Sequence, residues 1–202
     1  MTFISKYVPH VLLAIYSIEF IVLGINPYAR DVWWAENLPI VAIVSFFVVL
    51  YIRGIRFSNL TYLFISILPF LHTIGGHYTF ERVPFDWFSN MFGYDRNMFD
   101  RVAHFTVGFY AMPLIEYVLQ YKKVATRFWA YFLGVCFIMA VAALYEMIEW
   151  QYAVKAGGEA GAAFLGSQGD IWDAQKDILM DTLGAFFVVI VLTIKNLLKK
   201  LL

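Results

Sequence analysis

Cysteine is almost absent. Cys136 stands alone inside an apolar run, which excludes an internal disulfide and a thiolate metal site. Charge is scarce too: Asp, Glu, Lys and Arg supply 15% of the 202 residues, with basic and acidic side chains in equal number. Soluble domains usually carry about a quarter, and a net charge of zero gives no electrostatic reason to bind nucleic acid. The chain also has no G-x-S-x-G elbow, P-loop, H-E-x-x-H pair or nicotinamide fingerprint, so the most readily named enzyme classes drop out. No repeat, heptad pattern or linker marks a domain boundary, and residues 1–202 read as one transmembrane domain.

What the chain has is hydrocarbon. It is 61% hydrophobic and 19% aromatic, and the apolar residues come in runs of the length that crosses a bilayer, about 20 residues each. Six such segments cover approximately residues 8–25, 36–52, 59–75, 100–120, 128–150 and 172–194, with Trp33, Trp34, Trp87, Trp129, Trp150 and Trp172 near their ends, as expected at lipid–water boundaries. The prediction is an all-α fold, a polytopic membrane bundle of six transmembrane helices. The first run follows a single Lys but precedes no small-x-small cleavage site, and reads as an uncleaved span.

Sorted by side, the charges orient the bundle. The N-terminus, the 53–58 turn, the 121–127 loop and the C-terminal tail hold nine Lys/Arg and no acid, while the opposite side holds six Lys/Arg. The bias places both termini in the cytoplasm. Of the outer connections, residues 76–99 are rich in Phe, Trp and Tyr and are expected partly in the interface. Residues 153–170 contain five glycines and read as a mobile lid.

With that topology, the ionisable residues of the spans collect at the outer face. "LHTIGGHYTF" brings His72 and His77 to the end of the third span, and its Gly75-Gly76 pair is expected to unwind the helix so that both rings turn to one site. Asp100, Arg101 and His104 open the fourth span. Glu146 and Glu149 come late in the fifth, and Asp173, Asp177 and Asp181 repeat every four residues at the start of the sixth. Spacings of three and four put each set on one helix face. A charged side chain at mid-bilayer costs about 2.5–3.5 kcal/mol, so these acids need partners among the histidines, Arg101, Lys176 or a metal. Imidazole with carboxylate suits Zn, Mn or Fe, and carboxylates alone suit Mg or Ca. Blander readings stand beside this one. Asp100-Arg101 could be a helix-entry pair, Asp170 and Asp173 caps, and His10 and Glu19 bundle-facing structural groups. Glu116 could simply pair with Lys122 or Lys123.

The stretches "LHTIGGHYTF", "FDRVAHF", "YEMIEW" and "GSQGDIWDAQKDILMDTLGA" resemble the motifs of YjdF-like bacterial inner-membrane proteins over nearly the whole chain. That resemblance implies a multi-pass protein of the bacterial inner membrane and brings no activity with it. Residues 99–185 also resemble VanZ-like membrane proteins, which have an acidic-basic pair before a His, then E-x-x-Q, then D-x-x-x-N-x-x-G. Here the pattern reads Asp100-Arg101 and His104, Glu146 and Glu149, then Asp177, Asp181 and Gly184. Glu replaces Gln and Asp replaces Asn, which makes this version more acidic and better suited to a cation. The likeness implies a role at the cell envelope, directed at lipid.

Three functions follow as expectations. The first is an enzyme on a lipid or lipid-linked head group, with Glu146, Glu149 or His104 catalytic. In it His72, His77, His104, Asp177 and Asp181 are metal ligands or proton carriers, and Arg82, Arg96, Arg101 and Asp173 bind substrate. The second is a cation- or proton-coupled carrier, weakened by how few polar residues continue toward the inner ends of the spans. The third is a structural or accessory membrane protein whose cluster only locks the helices.

Overall fold

The computed structural model describes residues 3–158, 161, 165 and 167–201. Six helices in it are long and apolar enough to cross a membrane, and no strand occurs among the described residues. They are α1 (Phe3–Leu23), α2 (Arg30–Ile52), α3 (Asn59–Tyr78), a fourth span made of two helices, α7 (Arg127–Ala156) and α8 (Asp173–Leu201). The fourth runs as α5 (Phe99–Val107), a 3-10 turn (Gly108–Tyr110) and α6 (Ala111–Gln120), and the short α4 (Asp86–Met91) lies in the connection before it. We call the end bearing the termini the inner end, after the charge bias. There α1 meets α2 through His10 against Tyr51, ring centroids 5.2 Å apart, and α8 meets α7 through Asn196 Nδ2 donating to Tyr131 Oη over 3.2 Å.

Several helix limits follow from capping. Ser58 starts α3 by accepting the Thr61 amide. Thr126 starts α7 by accepting that of Trp129, satisfying donors that the first turn of a helix leaves free. Glu116 does not pair with Lys122 or Lys123. Its carboxylate takes the Ser58 amide at 2.9 Å and the Ser58 hydroxyl at 2.6 Å, tying α6 to the N-cap of α3. At the second span the apolar pattern starts the helix too late. α2 begins at Arg30 rather than near 36, so its polar first turns are part of the bundle.

The inner half is packed hydrocarbon. Met112, Ile115 and Val118 of α6 meet Ala130, Val135 and Ile138 of α7 and Ala185, Val188 and Leu192 of α8 in one buried cluster. Gly134 admits Ile115: a β-carbon there would lie 2.8 Å from Ile115 Cγ1. Outside this core Ile18, Ile21, Phe128, Phe132, Ile190 and Ile194 face outward, the expected surface of a protein solvated by lipid.

Candidate functional site at the outer end

The break in the fourth span has a packing cause. A β-carbon on Gly184 would collide with the Phe105 carbonyl, and one on Gly108 with the α8 backbone at Asp181, Gly184 and Ala185. The backbones of α5 and α8 therefore cross in contact, as small residues allow in membranes. That crossing sets the acidic stripe of α8 against Arg101 and His104. Arg101, 4% exposed, pairs with Asp173 and Asp177, and reaches Asp170 at 3.4 Å and Asp100 at 3.8 Å. Arg96 bonds Asp173 at 2.6 Å and lies 3.5 Å from Asp170 and 3.8 Å from Asp100. His104 Nδ1 lies 3.1 Å from Asp181, while its Nε2 stands 3.6 Å from both Asp100 and Asp177. One imidazole thus sits among three carboxylates drawn from two helices.

A loop stitch holds this arrangement from above. The Asn97 amide donates to Gln168 Oε1 at 2.9 Å and Gln168 Nε2 donates back to the Asn97 carbonyl at 3.1 Å. Asn97 Nδ2 also bonds the Val83 carbonyl at 2.7 Å. Asp170 closes the stitch, taking Lys176 Nζ at 2.6 Å and the Trp172 amide at 3.1 Å. The Lys176 bond, then the Trp172 amide, hold its carboxyl below the usual Asp range. Both contacts stabilise the charged form. Of the expected glycine-rich lid, residues 153–156 continue α7, and 159–160, 162–164 and 166 lie outside the described residues.

α3 is not unwound at Gly75-Gly76. It runs unbroken to Tyr78, and Thr79 then turns the chain with φ 64°. The glycines serve packing instead. The Phe80 ring folds into the space a Gly75 β-carbon would occupy, its amide donating to the Gly75 carbonyl at 2.7 Å and its ring meeting His72 at 4.9 Å. Gly76 admits α2, because a β-carbon there would lie 2.6 Å from Asn37 Nδ2 and 3.2 Å from Glu36 Cβ. Asn37 Oδ1 accepts from Thr73 at 2.9 Å, and Thr73 Oγ1 lies 3.3 Å from Tyr16 Oη, so one polar chain links α1, α3 and α2. Seated this way, Glu36 is buried and lies 3.7 Å from His72 Nε2.

The two histidines part company. His72 lines the outer cavity. His77 lies outside it, with Nδ1 2.7 Å from the Leu23 carbonyl and its own carbonyl taking the Tyr28 amide at 2.9 Å. It pins the α1–α2 turn. Arg82 is also elsewhere, stacked over Tyr28 at 4.3 Å and 3.5 Å from Glu81.

The cavity has a volume of about 130 Å³ and is lined by Glu36, His72, Asp100, His104, Tyr145, Glu149, Asp177 and Asp181. Five helices contribute. On the same cavity, Ile40, Leu68, Val107 and Ala142 add apolar wall from α2, α3, α5 and α7. Glu146 is beside the cavity rather than on it, with one buried carboxylate oxygen that has no hydrogen-bond partner among the described residues. His72 Nδ1 is in the same state. Asp100, His104 and Asp177 each offer a ligand atom, all within 4.8 Å of one another, and an imidazole with two carboxylates is a donor set for Zn, Mn or Fe. Of the residues expected at substrate, Arg96 and Arg101 both bond Asp173.

Glu36 and Tyr145 escape a reading of the sequence. The one available signal for Glu36 is the polar pair Glu36-Asn37, three and four residues after Trp33 and before an apolar run, which continues a helical face outward. For Tyr145 there is none, since an aromatic in a span is ordinary.

These features define a polytopic α-helical membrane protein with an acid–imidazole cavity at one end. The chain belongs to the family of predicted membrane proteins DUF2238, whose model matches residues 8–196. It is similar to the inner membrane protein YjdF of Escherichia coli (strain K12), 33% identical over 178 residues that cover 87% of this chain and 84% of the relative. It is a multi-pass protein of the inner membrane. No solved structure matches it.

Proposed function

We propose that this protein is an enzyme acting at the outer face on a lipid or lipid-linked head group, with a divalent cation held by Asp100, His104 and Asp177. The observation that supports it is the cavity itself, where groups from five helices surround a space lined by His104, Glu149 and Glu36. A cation there would lower the pKa of bound water. Glu149, on the facing helix, is the candidate general base, and Asp181 orients the His104 ring. Arg96 and Arg101 organise Asp173 and Asp177 rather than the substrate. Apolar wall beside these groups and hydrocarbon packing in the inner half count against a carrier, which needs a polar route across.

The test is metal content. Protein purified without chelator should carry close to one Zn, Mn or Fe per chain by elemental analysis, and His104→Ala should carry none while staying folded. Envelope lipids of a deletion strain should then differ from wild type. Metal-free protein that rescues the deletion strain overturns the proposal. A second reading, a purely structural clamp, is favoured by the Arg96 and Arg101 pairs. It predicts that Glu149→Gln, which breaks none of them, rescues fully.

A further inference from the structure

A second cavity, of about 360 Å³, opens between α1 and α2 in the inner half of the bundle. Both helices pack on α3, yet they meet each other through ring pairs near their ends, Phe20 with Trp33 at 5.2 Å and His10 with Tyr51 at 5.2 Å. Between those pairs the wall is made by Leu13, Tyr16, Val44, Val48, Ile65 and Tyr110. Three polar groups of the wall already have partners within the bundle. Tyr16 Oη meets Thr73, Tyr110 Oη donates to the Ile65 carbonyl at 2.8 Å, and the Ser66 hydroxyl donates to the Leu63 carbonyl at 2.7 Å. What is left is a hydrocarbon slot of the size that binds small ligands, open toward the bilayer.

Its inner mouth is cationic. Arg56 stacks on Tyr51 with its guanidinium 3.5 Å from the ring centroid. Arg53 directly follows Ile52, another wall residue. Lys6 stands one turn before His10, on the same helix face. All three are exposed, and none forms an ion pair among the described residues. Arg56 also donates to the Tyr51 carbonyl, and an apolar slot that ends at three cations with no carboxylate partner among the described residues matches a molecule with a hydrocarbon tail and an anionic head. We propose that this cavity binds one anionic phospholipid of the inner leaflet, with an acyl chain between α1 and α2 and the phosphate at Lys6, Arg53 and Arg56. The site is separate from the outer cavity and does not depend on its function.

The full chain in nanodiscs of equal phosphatidylglycerol and phosphatidylcholine tests this, each lipid in turn carrying a mid-chain diazirine. Phosphatidylglycerol labels should concentrate on Leu13, Val48 and Ser66 over the outward-facing Ile190 and Ile194 of α8. Leu13→Trp with Val48→Trp should remove that labelling. Lys6→Gln with Arg56→Gln should keep acyl labelling but cut the preference for the anionic lipid at least about fivefold, since each cation near the surface is worth about 1 kcal/mol. Even labelling around the bundle overturns the proposal. So does an unchanged lipid preference in the charge variant, or cross-linking of the slot to a second copy of the chain. The wild-type map needs no variant, so a double-Trp chain that fails to fold does not spare the proposal.

Discussion

At the outer end Arg101 is enclosed by the carboxylates of Asp173 and Asp177, whereas at the inner end Ile115, Ile138 and Val188 meet with no polar atom between them. Both regions are buried and both join the fourth, fifth or sixth spans, yet they fail in different ways. Lipid tails are as apolar as Ile or Val, so the inner contacts hold by fit alone. Among the ions, each group is tolerable only while its partners stay. The outer end therefore concentrates large penalties on single residues, and the inner end spreads small ones over many.

The sharpest way to break that contrast is Arg101→Leu. It leaves Asp177 without its arginine and Asp173 with Arg96 alone, and removal of one member of a buried pair costs about 3–5 kcal/mol. Thermal unfolding in detergent should show the loss, and adding Asp177→Leu should recover a good part of it. If Arg101→Leu unfolds within a degree of wild type, the outer network does not hold the bundle. Ile138→Ala probes the other region. A buried large-to-small change costs about 2–5 kcal/mol in water-soluble cores, and the lower limit is expected here because no transfer from water is at stake. Metal content should be unchanged, since Ile138 does not line the cavity and stands about two helical turns from Tyr145, the nearest polar residue of α7 that does.

The two regions were also unequally legible. Six spans could be read because hydrocarbon runs of bilayer length have one physical use. So could the meeting of Asp100, His104, Asp177 and Asp181, because i, i+4 spacing on two helices leaves little choice of face. Gly75-Gly76 misled, since local propensity reads a break where Phe80 and Asn37 fill the missing β-carbons. His77 lies five residues beyond His72 and, on an unbroken helix, faces the α1–α2 turn. Glu36 was hidden by the hydropathy pattern, which starts the second span at the residue where the apolar run begins. Arg101 was legible as a partner of the span acids, whereas the capture of Arg96 by Asp100, Asp170 and Asp173 is tertiary and has no sequence signature.

Glu149→Gln sharpens the comparison by separating charge from shape. The side chain keeps its size and loses its ionisation in a cavity crowded with acids, so stability should stay within about 0.5 kcal/mol of wild type or rise. Rescue of the deletion strain should be lost. A destabilised Glu149→Gln with full rescue would reverse the assignment and make this residue structural.

The smallest effect is expected at Asp170, on the rim. Lys176 and the Trp172 amide depress its pKa in the folded state, so the unfolded chain binds the proton more tightly. The resulting stabilisation is fully present above the ordinary Asp value, about 3.9, and is lost as pH falls below it through the folded pKa. Between pH 5 and 8 nothing should change on this account. Amide exchange in residues 95–98 and 167–172, corrected for its intrinsic pH dependence, should therefore quicken in wild type from pH 5 to pH 3. Asp170→Asn should start faster and show a smaller change. Equal acid loosening in both proteins would assign the effect to a group other than Asp170, and so move the pH-sensitive point away from the Lys176 contact.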